Sequence, residues 1–166
     1  MSINIGYTGE VHIVAGNNRY SSHNMGTPGL FRLLSNIFGR RDAYTQDDLP
    51  GNIMLYEEDA ENVATSTISL LSSKALLSSF VPVNFYPETV TINGETVYQT
   101  VFTTYINNKV MSTTSVPTTV TLALVDSNMS NILAAIDLPA SSGVVNSVMQ
   151  GNQALIKWIM KFSNAE

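Results

Sequence analysis

TTVTLALVDSNMSNILAAIDLP, residues 118–139, is the stretch whose reading decides the fold. TVTLAL crowds β-branched and apolar residues together, and ILAAIDL repeats the pattern. Between them, Asp126-Ser127-Asn128 supplies short polar side chains that bond the local backbone and favour turns. The stretch therefore reads as two strands and a tight turn.

Upstream, TVTI, then Asn93-Gly94, then ETVYQTVFTTYI reads as a hairpin around a favoured turn dipeptide. In its second arm, Val97, Gln99, Val101, Thr103 and Tyr105 alternate with Tyr98, Thr100, Phe102, Thr104 and Ile106. Downstream, Gly151-Asn152 makes a turn. Ala154, Ile156, Trp158, Met160 and Phe162 then share one face of a period-two pattern. A helix with Leu155, Trp158, Ile159 and Phe162 on one face is the alternative reading there.

Towards the start, Ile3, Ile5 and Tyr7, then Val11, Ile13 and Ala15, alternate weakly. They predict two short strands divided at Gly9, with a third near Arg19–Ser22 after a turn at Asn17-Asn18. The period then changes. Thr27-Pro28 is an N-cap followed by proline at the first helical position. Leu30, Phe31, Leu33, Leu34, Ile37 and Phe38 follow at helical spacing. Gly39 is expected as a left-handed C-cap, with Arg40-Arg41 complementing the helix dipole. Asn52–Tyr56 predicts a short buried strand, residues 57–62 (EEDAEN) an acidic loop, and residues 65–71 a strand.

One short helix near residues 28–38 and seven or more strands with regular turns predict a mainly β chain. The expected architecture is an antiparallel β-sandwich, jelly-roll or immunoglobulin-like, in a single domain spanning 1–166. Residues 1–22 are expected to serve as an N-terminal docking arm.

Composition narrows the function classes. The 166 residues are 44% hydrophobic, enough for a core, but only 13% charged, roughly half the usual share. A surface poor in Lys and Glu suits burial among neighbours, because interface cores are depleted of charge. Net charge is −5 with no basic stripe, which argues against a nucleic-acid partner. With no cysteine there is no disulfide and no thiolate metal site. MSINIGYTGEVHIV has no charged segment leading an apolar run, and no apolar stretch approaches the roughly 20 residues of a membrane span. The expectation is synthesis in a cytoplasm, without export by the usual route and without membrane insertion.

No catalytic, cofactor-binding or metal-binding residue is assigned. His12 and His23, eleven positions apart, give no ligand spacing. His12 is expected to point opposite to Val11 and Ile13, and His23 to bond loop backbone. Glu57, Glu58, Asp59 and Glu61 are the densest carboxylates, but the run lacks a calcium-loop glycine and reads as a solvated loop. Asp42, Asp47 and Asp48 read the same way. A glycosidase pair involving Glu57 has nothing that singles it out. Serines are abundant without a G-x-S-x-G elbow. Thr27-Pro28-Gly29 reads as a cap rather than an anion site. Asn128-Met129-Ser130 is a formal glycosylation acceptor. Trp158, Tyr20, Tyr56, Tyr86, Tyr98 and Tyr105 read as core aromatics, with a sugar groove as the alternative.

Two places resemble tailed-bacteriophage virion proteins. His23-Asn24 and Thr27 feeding Leu30–Phe38 is similar to their "HN…T" loop and helix. Leu124–Ser127, Ile132–Ala134 and Leu138-Pro139, followed by Gly151–Phe162 with Trp158, resemble their paired strand and closing strand. The chain departs from that pattern at Ala135, where the family has Arg, and over 57–88. The resemblance implies a non-enzymatic structural component of a phage neck, tail, baseplate or fibre attachment. Its partners would be other virion proteins and further copies of itself, assembled in the host bacterial cytoplasm. A carbohydrate-binding module of a fibre is the alternative.

Overall fold

The computed structural model describes residues 5–39 and 45–164. Among the described residues nine strands form in chain order: β1 (Ile5–Ala15), β2 (Asn18–Gly26), β3 (Pro50–Tyr56), β4 (Val81–Pro82), β5 (Asn84–Ile92), β6 (Glu95–Ile106), β7 (Thr121–Asp126), β8 (Ile132–Asp137) and β9 (Ala154–Asn164). Four α-helices interrupt these described strands: α1 (Pro28–Phe38), α2 (Ala60–Thr65), α3 (Ile68–Leu71) and α4 (Val144–Met149).

The strands build an antiparallel β-sandwich, as the alternation predicts. One sheet runs β2-β1-β9-β6-β5 and the other β2-β8-β7-β3-β4. Two ribbons turn the corners, as sheet-switching strands do in packed sheets. Residues 18–24 of β2 pair with β1, while Met25 and Gly26 pair with β8. On the other side, Val81 and Pro82 pair with β3, and after Val83 the same ribbon pairs with β6 as β5.

The quoted stretch is the centre of the second sheet. Every residue of β7 is buried, as is β8 through Ile136. Such runs arise where both faces of a sheet are covered. Here the first sheet covers one face, and α2, through Ala60, Val63 and Ala64, packs on β7 and β8. The β7–β8 turn is held by the Asp126 carboxylate. It accepts from the Ser130 amide at 2.8 Å, the Asn131 amide at 3.1 Å and the Asn131 side chain at 2.9 Å. In the first sheet Trp158 is fully buried between Val11 and Phe102. Among the described residues its indole N–H has no hydrogen-bond partner.

Helix α1 begins as expected. The Thr27 hydroxyl accepts from Leu30 N at 3.3 Å and donates to the Ile132 carbonyl, tying the helix start to β8. Gly29 must stay small there, because a Cβ would lie 2.8 Å from the Ile132 oxygen. The hairpin turn also forms as read: Asn93 and Gly94 both have positive φ, 51° and 82°.

Several expectations need correction. Gly39 is right-handed, with φ −75°, because its N–H closes the helix onto Ser35 and Ile37. Arg40-Arg41 and Asp42 lie outside the described residues. Gly9 does not divide β1; it is glycine because a Cβ would meet the Asn24 side chain at 1.6 Å. Residues 57–62 are not a simple loop, since Asp59 caps α2 by accepting from Asn62 N at 2.8 Å. Residues 65–71 hold the end of α2 and the whole of α3 rather than a strand, because Thr67 caps α3 through Leu70 N. Over 5–22, the described part of the expected docking arm, β1 lies between β2 and β9 with Val11, Ile13 and Ala15 buried, so removing it would open the sheet.

Candidate assembly interface

The long strands of the first sheet outreach the short strands of the second. On the first sheet's inner face, residues of β5, β6 and β9 face residues of α1. Between them lies a cleft of about 560 Å³, within the range of small-ligand pockets. Phe85, Phe102, Met160 and Phe162 form its floor, and Leu30, Leu33, Leu34 and Ile37 its roof. Gln46, Asp47, Thr100 and Ser127 add polar groups. Chemically, such a cleft accepts an apolar side chain or tail.

Among the described residues the β5–β6 hairpin, whose Phe85 lines the cleft, carries most of the exposed aromatic surface. Phe85 is 68% exposed and Tyr98 64%, with Tyr86, Ile92 and Tyr105 also exposed. Strand β5 is bonded to β6 on one side only and ends the sheet order. The sequence signal for this strand is strong only from Thr89, whereas the strand itself starts at Asn84 and includes Phe85, Tyr86 and Pro87. Proline is tolerated on an edge strand when its nitrogen faces away from the sheet, and the alternation through NFYPETV was the available signal.

The outer face of the same sheet carries a polar row. Lys161 Nζ lies 2.7 Å from Glu10 Oε1, and Gln99 Nε2 donates to Glu88 at 2.6 Å. Lys161 holds the Glu10 carboxyl below its usual range, partly offset by burial and aided by His12. His12 points away from Val11 and Ile13 and lies 3.4 Å from Glu10. His23 is exposed on β2 opposite Glu10 rather than in a loop.

The acidic run is taken up locally. Lys74 pairs with Glu58, and this contact, with the Asn62 side chain and the Asp59 amide, pulls the Glu58 carboxyl down to about 2. The Glu58 carbonyl accepts from Thr121 Oγ1 at 2.6 Å. No group of three or more metal-ligating side chains is found among the described residues. No helix there is long and apolar enough to cross a membrane.

The tyrosines do not converge. Tyr56 is buried, and burial pushes its phenol up to about 12. Tyr20 donates to the Asp137 carbonyl at 3.1 Å. Pairing register puts Tyr86 and Tyr105 on the outer face of the sheet and Tyr98 on the inner one. Trp158 is core, as expected.

No protein family, curated protein or solved structure matches this chain.

Proposed function

We propose that this chain is a non-enzymatic structural component of a tailed-phage virion, of the neck, tail, baseplate or fibre-attachment kind, acting through protein–protein assembly. The observation that carries the reading is the β5–β6 hairpin, where an unpaired strand edge coincides with exposed Phe85, Tyr86, Ile92 and Tyr98. Exposed apolar patches on a soluble surface mark interaction sites. A surface poor in charge fits permanent neighbours, and the phage-like motifs at 23–38 and 124–162 point to virion proteins as those neighbours. In this reading the partners are other virion proteins and further copies of the chain, which meet in the bacterial cytoplasm and remain in the particle.

Mass spectrometry of purified particles from the phage encoding the chain tests this: the chain is expected at structural stoichiometry, and its absence from intact particles refutes the reading. The carbohydrate-binding alternative rests on exposed Tyr86, Tyr98 and Tyr105. Because they are split between two faces they form no shared platform, and selective glycan-array binding abolished by Tyr98→Ala would be needed to favour it.

A further inference from the structure

The free edge of β5 has a definite polarity. Pro87 has no N–H, and Val83, of the same parity, donates its N–H to Gly51 of β3 at 3.0 Å, away from β6. Strand alternation then turns the backbone groups of Phe85, Pro87, Thr89 and Thr91 outward, and those of Tyr86, Glu88, Val90 and Ile92 toward β6. Among the described residues, no partner outside β6 reaches the backbone of Phe85, Thr89 or Thr91. The register of β3 with β7 shifts at Pro50, and among the described residues no strand pairs with β5 on the side away from β6 between Phe85 and Ile92.

We infer that this slot is a strand-addition site for a second copy of the same edge, arranged antiparallel about a twofold axis at Thr89. The choice of a like copy rests on the assembly reading, and the register comes from the strand itself. A twofold at Thr89 lets the two Thr89 residues exchange backbone bonds, and each Thr91 N–H meets the other copy's Pro87 carbonyl. On the outer face it sets Tyr86 against the second copy's Ile92, both exposed large side chains. Glu88 then lies opposite Val90. A twofold at Glu88 would instead oppose two carboxylates in a chain already at −5, which is destabilising for directly opposite residues. A twofold at Pro87 would centre the pair on two missing donors.

The nine residues make a ribbon roughly 30 Å long. A single strand edge of that length falls short of the about 800 Å² per partner typical of stable pairs. The contact is therefore weak alone and gains strength by repetition in an assembly.

The test uses the full chain. Because it has no cysteine, Thr89→Cys supplies a lone thiol at the axis, where paired Cα atoms of about 5.5 Å separation suit a disulfide. Oxidation is expected to give covalent dimer at concentrations where Ser115→Cys, in an exposed loop, stays monomeric; equal cross-linking of the two overturns the inference. Thr89→Pro removes an outward N–H at an edge position like that of Pro87, so the fold is expected to survive. Sedimentation should then show self-association of the wild type and its loss in this variant. Association unchanged in Thr89→Pro sinks the edge while leaving assembly through another face. A wild type that never self-associates also sinks the edge, whereas the virion reading fails only if particles lack the chain.

Discussion

Replacing Asp126 with Ala tests the stretch around which the sandwich is organised. The carboxylate is buried, 1% exposed, and accepts three hydrogen bonds that close the β7–β8 turn. A hydrogen bond to a charged group contributes about 1.5–3 kcal/mol, so three set an upper bound of about 9 kcal/mol. Two of the donors are backbone amides of Ser130 and Asn131, which are exposed residues, so water can reach them in the variant. That lowers the expected loss to about 3 kcal/mol, a large share of the 5–15 kcal/mol by which domains are stable. For a chain of this size the melting temperature should fall by about 6–12 °C. Asp126→Asn keeps one acceptor oxygen and should lose only about 1 kcal/mol. Urea unfolding followed by the fluorescence of the single, buried Trp158 reads both variants. A change below about 0.5 kcal/mol in Asp126→Ala, the size of an ordinary surface substitution, would refute the account of the turn.

Other substitutions probe separate joints. Trp158→Ala should cost about 3–5 kcal/mol through the cavity it leaves, whereas Trp158→Phe, which also removes an unpartnered buried N–H, should cost much less; thermal unfolding compares them. Gly29→Ala brings a methyl against the Ile132 carbonyl and should destabilise by about 1–3 kcal/mol, read from urea midpoints. Gly94→Ala, at φ 82°, should cost about 1–2 kcal/mol and increase amide exchange at the hairpin tip. Glu58 has a folded-state pKa of about 2, below the ordinary 4.5. Its pairing with Lys74 therefore adds stability above about pH 4.5 that is lost as pH falls toward 2. Melting curves of Glu58→Gln should show a shallower acid decline across that window, and an unchanged decline counts against the pairing.

Legibility in the sequence followed the strength of local signals. Helix α1 carried cap, proline and apolar face together. The β5–β6 turn, the buried runs of β7 and β8, and the alternation of β9 were each explicit. The short helices α2, α3 and α4 were not, because six, four and six residues are too few to show a helical period. Val, Ile and Thr in those segments also favour strands when isolated, and only the side-chain caps from Asp59 and Thr67 reverse that for α2 and α3. Gly9 was misread because its reason lies fifteen positions away, in the side chain of Asn24. The apolar cleft was illegible for the same reason: Leu34, Phe85 and Phe162 meet only through the tertiary fold. Absence of a catalytic pattern in the sequence says nothing about edges, and the open side of β5 emerged only from the pairing order.

Amide hydrogen exchange along β5, measured by NMR in dilute and concentrated protein, tests most directly whether this sandwich works by joining its edges. Tyr86, Glu88, Val90 and Ile92 should be slow in both conditions, while Phe85, Thr89 and Thr91 should be fast when dilute, with Thr89 and Thr91 becoming protected when concentrated. Thr89 and Thr91 amides that stay fast in an associated sample, or that are already protected in a monomer, would contradict it.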